Sequence, residues 1–176
     1  MVRLRKFSAY QRLERPYTRV SKFSNQNYVR GGYPHSKITK FSMGNSHASF
    51  DTLLKLNVQR SMNIRNNALE AARMTSNRLL ESTLGLSSYF LRVKTYPFHV
   101  LRENPLASGA GADRMSTGMQ KSYGKTINSA ARVREGQTVI ELRINKAHLA
   151  LGREALAKAG KKLPCSCRIA TESLAS

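Results

Sequence analysis

The clearest pattern along the chain lies between Asn66 and Leu84. There Ala68, Leu69, Ala72, Ser76, Leu79, Leu80 and Thr83 fall on one arc of a helical wheel, opposite Glu70, Met74, Arg78 and Glu81. The spacing predicts a helix with Gly85 as its stop, and its small inner residues point to close packing on a sheet. Elsewhere the period falls to two. Residues 37–43 alternate polar and apolar and stop at Gly44 and Asn45, and Leu54, Leu56 and Val58 alternate likewise, which predicts two strands. Residues 89–96 are rich in strand formers; Pro97 interrupts, and residues 98–101 resume the strand. Residues 131–134 and 138–144 read as a pair joined through Glu135, Gly136 and Gln137. A second helix fits 146–159, with Asn145 as N-cap and Gly160 as stop. Leu163, Cys165, Cys167 and Ile169 alternate as a last strand. Strands and helices interleave without a regular βαβ repeat, so the fold class is α+β: a mixed sheet, two helices, a basic N-terminal extension and a long inserted loop.

Charge changes this picture first at the N-terminus. The 176 residues hold 30 Lys and Arg against 10 Asp and Glu, a net charge of +20. Residues 1–60 carry 12 basic and 2 acidic side chains, so half of the net charge sits in the first third. An excess of this size repels itself in a compact state and points to a polyanionic partner, nucleic acid above all. Between Arg3 and Tyr33 the cations alternate with Phe7, Tyr10, Tyr17, Phe23, Tyr28 and Tyr33 without a steady period. Cations suit phosphates and rings suit exposed bases. Two readings stand, an arm that orders on RNA and a solvated tail, and the aromatic content favours the arm. The chain divides into an arm, 1–34, and an α+β domain, 35–176. No apolar run approaches the roughly eighteen residues of a spanning helix, and no signal peptide follows the basic start, so a cytoplasmic protein is expected.

Residues 103–124, between two strands, form the stretch that folding alone explains least. It exceeds the roughly 12–15 residues at which structureless loops become uncommon. Gly109, Gly111, Gly118 and Gly124 open conformations closed to other residues, and doubled back the loop could extend about 35 Å. Arg114 and Lys121 are offset by Glu103 and Asp113, so the loop is nearly neutral. It reads as a probe for a crowded site, the alternative being a floppy solvent loop.

Catalytic chemistry finds no foothold. Gly109-Ala-Gly111 lacks the third glycine of a dinucleotide fingerprint, and no P-loop lysine follows. Cys165 and Cys167 have one intervening residue and no second pair, which suits core cysteines better than a metal site. Ser122 and Lys125 have Ser-x-x-Lys spacing without companion motifs. The four histidines show no ligand spacing; His99 suits either a base stack or a packed strand position. No metal, cofactor or enzymatic activity is expected.

Several motifs nevertheless occur in a telling order. These are Tyr17-Thr18-Arg19, Phe41-Ser-Met-Gly-Asn45, Asn66-Asn-Ala-Leu-Glu-Ala-Ala-Arg73, Pro97-Phe-His-Val-Leu-Arg-Glu-Asn104, and Tyr123-Gly-Lys125 followed by Ala131-Arg-Val133. Together they resemble the large-subunit ribosomal protein L-sixteen family, in its archaeal and eukaryotic L-ten-e branch, over about residues 15–169. The resemblance implies a hammerhead-like α+β fold and a structural, non-catalytic component of the large ribosomal subunit. It implies large-subunit 23S rRNA as partner, 5S rRNA nearby, contact with the tRNA acceptor arm, and neighbouring large-subunit proteins. It also implies that the long loop points toward the peptidyl-transferase centre. Two departures stand out: Ser42 where many relatives have Asp, and no long basic C-terminal extension, which favours the archaeal type. The end, 171–176, has no assigned role. A transient RNA- or tRNA-binding translation factor is the alternative.

The residues expected at RNA are Arg3, Arg5, Lys6, Arg12, Arg15, Arg19, Lys22, Arg30, Lys37, Lys40, Arg65, Arg92, Lys94, His99, Arg102, Lys125, Arg132 and Arg134. In the loop, Ser108, Gly109, Gly111, Arg114, Met115, Gly118 and Lys121 are expected nearest to tRNA and the peptidyl-transferase centre.

Overall fold

In the computed structural model, residues 5–13, 21–27, 29, 32–104, 109–111 and 124–174 are described. The described residues form eight strands in two antiparallel sheets. The larger contains β1 (Ser42–Gly44), β2 (Thr52–Val58), β4 (Tyr89–Val93), β7 (Thr138–Ile144) and β8 (Cys167–Ser173), in the order β1-β4-β7-β2-β8. The smaller contains β3 (Met62–Arg65), β5 (His99–Glu103) and β6 (Lys125–Val133), in the order β3-β6-β5. Among the described residues two helices, α1 (Asn66–Leu84) and α2 (Leu149–Gly160), complete an α+β fold.

Alternation is what makes β2 a strand. Thr52, Leu54, Leu56 and Val58 are buried, and the residues between them are only partly so. Register carries the apolar face across the sheet: Leu54 opposes Leu142, Leu142 opposes Leu91, and Leu56 opposes Ile140, which opposes Val93. Each of these side chains is fully enclosed, so each contributes about 1.5–3 kcal/mol of burial. Helix α2 seats on this face at Gly152. A Cβ there would lie 2.7 Å from Leu54 Cδ1 and 3.3 Å from Leu142 Cδ2.

Helix α1 has the bounds that its pattern predicts, and Gly85, at φ 75°, ends it by donating its N–H to the Glu81 carbonyl. Its inner arc is Asn66, Leu69, Ala72, Ser76 and Leu80, whereas Thr83 is exposed. The small residues bring it mainly against α2, with the sheets as lesser contacts. Close packing was therefore legible but its partner was not.

Several other expectations need correction. Of the strand expected over 37–43, only its end is strand, and Ile38 is instead a buried anchor of an irregular lead-in. The strand after Pro97 does not continue the one before it, because β5 belongs to the smaller sheet. Likewise β6 and β7 are not a pair. Their connection is held by β2, where the Gly136 N–H donates to the Val58 carbonyl and the Val58 N–H to Gln137. The second helix begins with a 3-10 turn, Lys146–His148, and Asn145 makes no side-chain cap. Gly160 lies inside α2 rather than after it. The last strand starts at Cys167 and runs to Ser173, so residues 171–173 form part of the edge of the large sheet.

Candidate nucleic-acid interface

Five of the described acids are paired with cations of the chain itself. Glu70 holds Arg73 at 2.5 Å, Glu141 holds Lys94 at 2.9 Å, Glu154 holds Lys158 at 2.8 Å, and Glu172 holds Lys55 at 2.6 Å. These are surface or half-buried pairs of modest strength. Their consequence is a remainder of cations without counter-charge. Among the described residues Lys6, Arg12, Lys22, Lys37, Lys40, Arg92, Lys125, Arg132 and Arg134 are exposed and form no ion pair. Ser42 stands opposite Arg92 in register and brings no charge to it.

Three other expected cations have internal work. The Arg5 guanidinium meets Glu103 at 2.5 Å, Lys94 meets Glu141, and Arg65 donates to the Arg5 carbonyl at 3.2 Å with Phe7 beneath it at 6.0 Å. Arg102 and His99 are buried, 6% and 5% exposed. Burial, with Arg132 and Arg102 nearby, lowers the His99 pKa from 6.5 to about 4, so its imidazole is neutral at physiological pH. Arg3, Arg15, Arg19, Arg30, Ser108, Arg114, Met115, Gly118 and Lys121 lie outside the described residues.

The long loop is placed by its root. Strands β5 and β6 are antiparallel neighbours, and Glu103 opposes Lys125 as their last pair. The loop is therefore a hairpin connection leaving one end of the smaller sheet. Its described residues Gly109 and Gly111 are exposed, at φ 137° and 83°.

Glu103 is 9% exposed and is the fastening point of the N-terminal segment as well. The Tyr10 hydroxyl donates to it at 3.1 Å and accepts the Arg5 backbone N–H at 3.2 Å. On the other side, Asn63 Nδ2 donates to the carbonyls of Tyr10 and Arg12 at 3.1 and 2.6 Å. Residues 5–12 thus strap across the small sheet from β3 to β5. Desolvation and the adjacent carboxylate raise the Tyr10 pKa, so the phenol stays a donor.

Beside the same root lies an open cleft of about 540 Å³ lined by His35, Lys37, Asn67, Lys125, Thr126, Ile127 and Asn128. Two exposed lysines and no acid face it. The first turn of α1, which supplies Asn67, contains no acidic residue, so the helix end adds no negative charge. Asn67 Oδ1 is a buried acceptor without a partner.

Sequence reasoning passed over two residues here. It weighed His99 for stacking and ignored its neighbours, yet Phe98 is 69% exposed and Tyr96 41%. The alternation Tyr96-Pro97-Phe98 was the available signal. The cysteines are half-buried at the rim of the core, with their sulfurs 3.8 Å apart. Among the described residues no three His, Cys, Asp or Glu side chains gather as metal ligands.

An α+β scaffold in which most described acids are paired and many cations stand exposed without an acidic partner defines a polyanion-binding class of protein. Residues 14–170 match the model of the family described as ribosomal protein L16p/L10e, and the chain belongs to that family. It is 44% identical over 164 residues to large ribosomal subunit protein uL16 of Staphylothermus marinus, covering 91% of this chain and 94% of the relative. The Hyperthermus butylicus protein of the same name is 45% identical over 165 residues, covering 90% and 92%. That of Archaeoglobus fulgidus is 39% identical over 163 residues, covering 93% and 90%. These are archaeal relatives, and they place the chain in the archaeal branch. It is a structural ribosomal component and not an enzyme.

Proposed function

We propose that this protein is a structural constituent of the large ribosomal subunit in the cytoplasm, gripping 23S rRNA in the central cleft beside the tRNA sites. Its 103–124 loop reaches toward the peptidyl-transferase centre and the acceptor arm of tRNA, with 5S rRNA and other large-subunit proteins as neighbours. Segment 1–34 and the exposed cations of domain 35–176 hold phosphates.

The observation that carries the reading is the root of the loop. A near-neutral hairpin leaves the sheet at Glu103 and Lys125, where the N-terminal segment is fastened and the basic cleft opens. A firm base and a near-neutral loop suit a probe that must enter a site crowded with RNA. The cleft fits a ribonucleotide backbone, because the exposed Lys37 and Lys125 suit phosphates and no acid opposes them. A transient factor fits less well, since the relatives are named as subunit proteins.

Deleting residues 108–118 tests the loop. Subunits carrying the shortened protein should assemble and sediment normally but form peptide bonds slowly. Failure at assembly would make the loop a scaffold instead. Loss of the intact protein from subunits in a high-salt wash would favour the transient factor.

A further inference from the structure

The crossover between the two sheets carries a ladder of three rings. Phe41 packs against the main core, and its carbonyl accepts the Val93 N–H at 2.7 Å, so the first rung is fixed to the large sheet. Tyr96 lies 4.6 Å from it, centroid to centroid, at 39°. Phe98 stacks on Tyr96 at 5.8 Å and 23°. The Phe98 N–H donates to the Tyr96 carbonyl at 3.0 Å, closing a tight turn around Pro97, whose ring restricts its own φ. The backbone of the outer rung is thus fixed, and Phe98 is 69% exposed. A ring left in water forgoes the stabilisation that burial would bring.

Charge around the ladder selects what would cover it. No Asp or Glu occurs from residue 15 to 50 or from 82 to 102, the two stretches that supply the rings. Lys40, next to Phe41, is exposed and has no acidic partner among the described residues. Lys94, two residues before Tyr96, already has Glu141. An exposed apolar face on an acid-free stretch, with a cation one residue from its inner ring, matches an unpaired nucleotide, which offers a π face and a phosphate together. An apolar protein loop would match the ring and leave the lysine without a counter-charge.

We propose that Tyr96 and Phe98 form a stacking platform for an unpaired base of rRNA, with Lys40 holding a flanking phosphate. The inference rests on the reading of the chain as an rRNA-binding protein, and it assigns base contact to residues outside the basic set.

The chain contains no tryptophan, so Phe98→Trp installs a unique fluorophore at the outer rung. The probes are a short single-stranded oligoadenylate and a blunt RNA duplex of equal phosphate count, added to the full chain. Quenching by the single strand alone is expected. Phe98→Ala should weaken oligoadenylate binding by roughly 5- to 100-fold and leave duplex affinity and salt slope unchanged. Because the side chain is exposed, circular dichroism of the variant should match the parent. Equal losses on both RNAs, or no loss on either, overturn the platform. Quenching by RNA-free large-subunit proteins but not by oligoadenylate assigns it to a protein instead. Duplex binding without discrimination sinks only this inference, whereas failure of the unaltered protein to bind either RNA sinks the parent reading with it.

Discussion

The two sheets of this protein share one hydrophobic core, through Met62, Ile64, Ala131 and Val133 of the smaller, but differ in what else they bury. In the five-stranded sheet the buried face is hydrocarbon, with Leu54, Leu56, Leu91, Ile140, Leu142 and Ile144 all sealed under α1 and α2. Its charges lie at the surface and pair there, as Lys55 does with Glu172. In the three-stranded sheet polar groups go inside. Asn63, Asn66, His99, Arg102, Glu103 and Ser129 are all buried around it. A buried polar group must find a specific partner or lose free energy, so this region adds specific geometry to the apolar area it buries. The difference teaches where each job is done. The large sheet supplies most of the shared core, and the small one also fixes the positions of the N-terminal segment and the root of the loop.

Substitutions that separate these roles range from global to local. Leu142→Ala removes a fully buried side chain that meets both neighbouring strands and the Gly152 seat of α2. It should cost about 2–5 kcal/mol in denaturant unfolding, spread over the whole chain. A loss confined to one region would mean that the two sheets unfold independently. Glu103→Ala should cost less, about 1–3 kcal/mol, because it leaves the Tyr10 hydroxyl and the half-exposed Arg5 without their acceptor. Its signature is local: amide exchange should accelerate over residues 5–12 and at Asn63, while the core amides of β2 and β7 change little. Tyr10→Phe keeps the ring and removes the hydrogen bonds, so about 1 kcal/mol is expected, again with protection lost over residues 5–12.

A further effect is one of pH. The folded His99 pKa is depressed from 6.5 to about 4, so between these values the unfolded chain binds more protons than the folded one. Its contribution is complete above about pH 6.5 and is lost as the pH falls toward 4. In NMR spectra the His99 imidazole should remain neutral at pH 5.5, and a protonated ring at that pH would mean that the strand position is open to water. Substituting His99 by Phe should flatten the part of the stability profile between pH 6.5 and 4 that this group supplies.

How much of this was readable beforehand follows from the range of the interactions. The bounds of α1 follow from spacing within the helix and from Gly85, both local features. The alternation of β2 reports a two-faced environment whatever its neighbours are. Uncompensated charge was also legible, since a count of acids and bases needs no structure, and it pointed to a polyanion. The motifs at 41–45, 66–73 and 97–104 carried the family resemblance, which the match over residues 14–170 bears out. The division of cations was not legible. Arg5 and Lys40 look alike in sequence, yet one meets Glu103 and the other faces water, and the first acceptor is 98 residues away.

Local pattern by itself determined that there are strands, two helices and a basic surface, because period and composition act on neighbours in the chain. Partnership required the tertiary structure. Residues 131–133 and 138–144 look like a hairpin, but β6 lies between β3 and β5 while β7 lies between β4 and β2. Apolar alternation marks a face for burial without naming the strand that will lie beside it. Around Pro97 the same limit applies in miniature. The chain changes sheets there, and that change buries His99 and leaves Phe98 in water, an inversion set by what packs above each side chain.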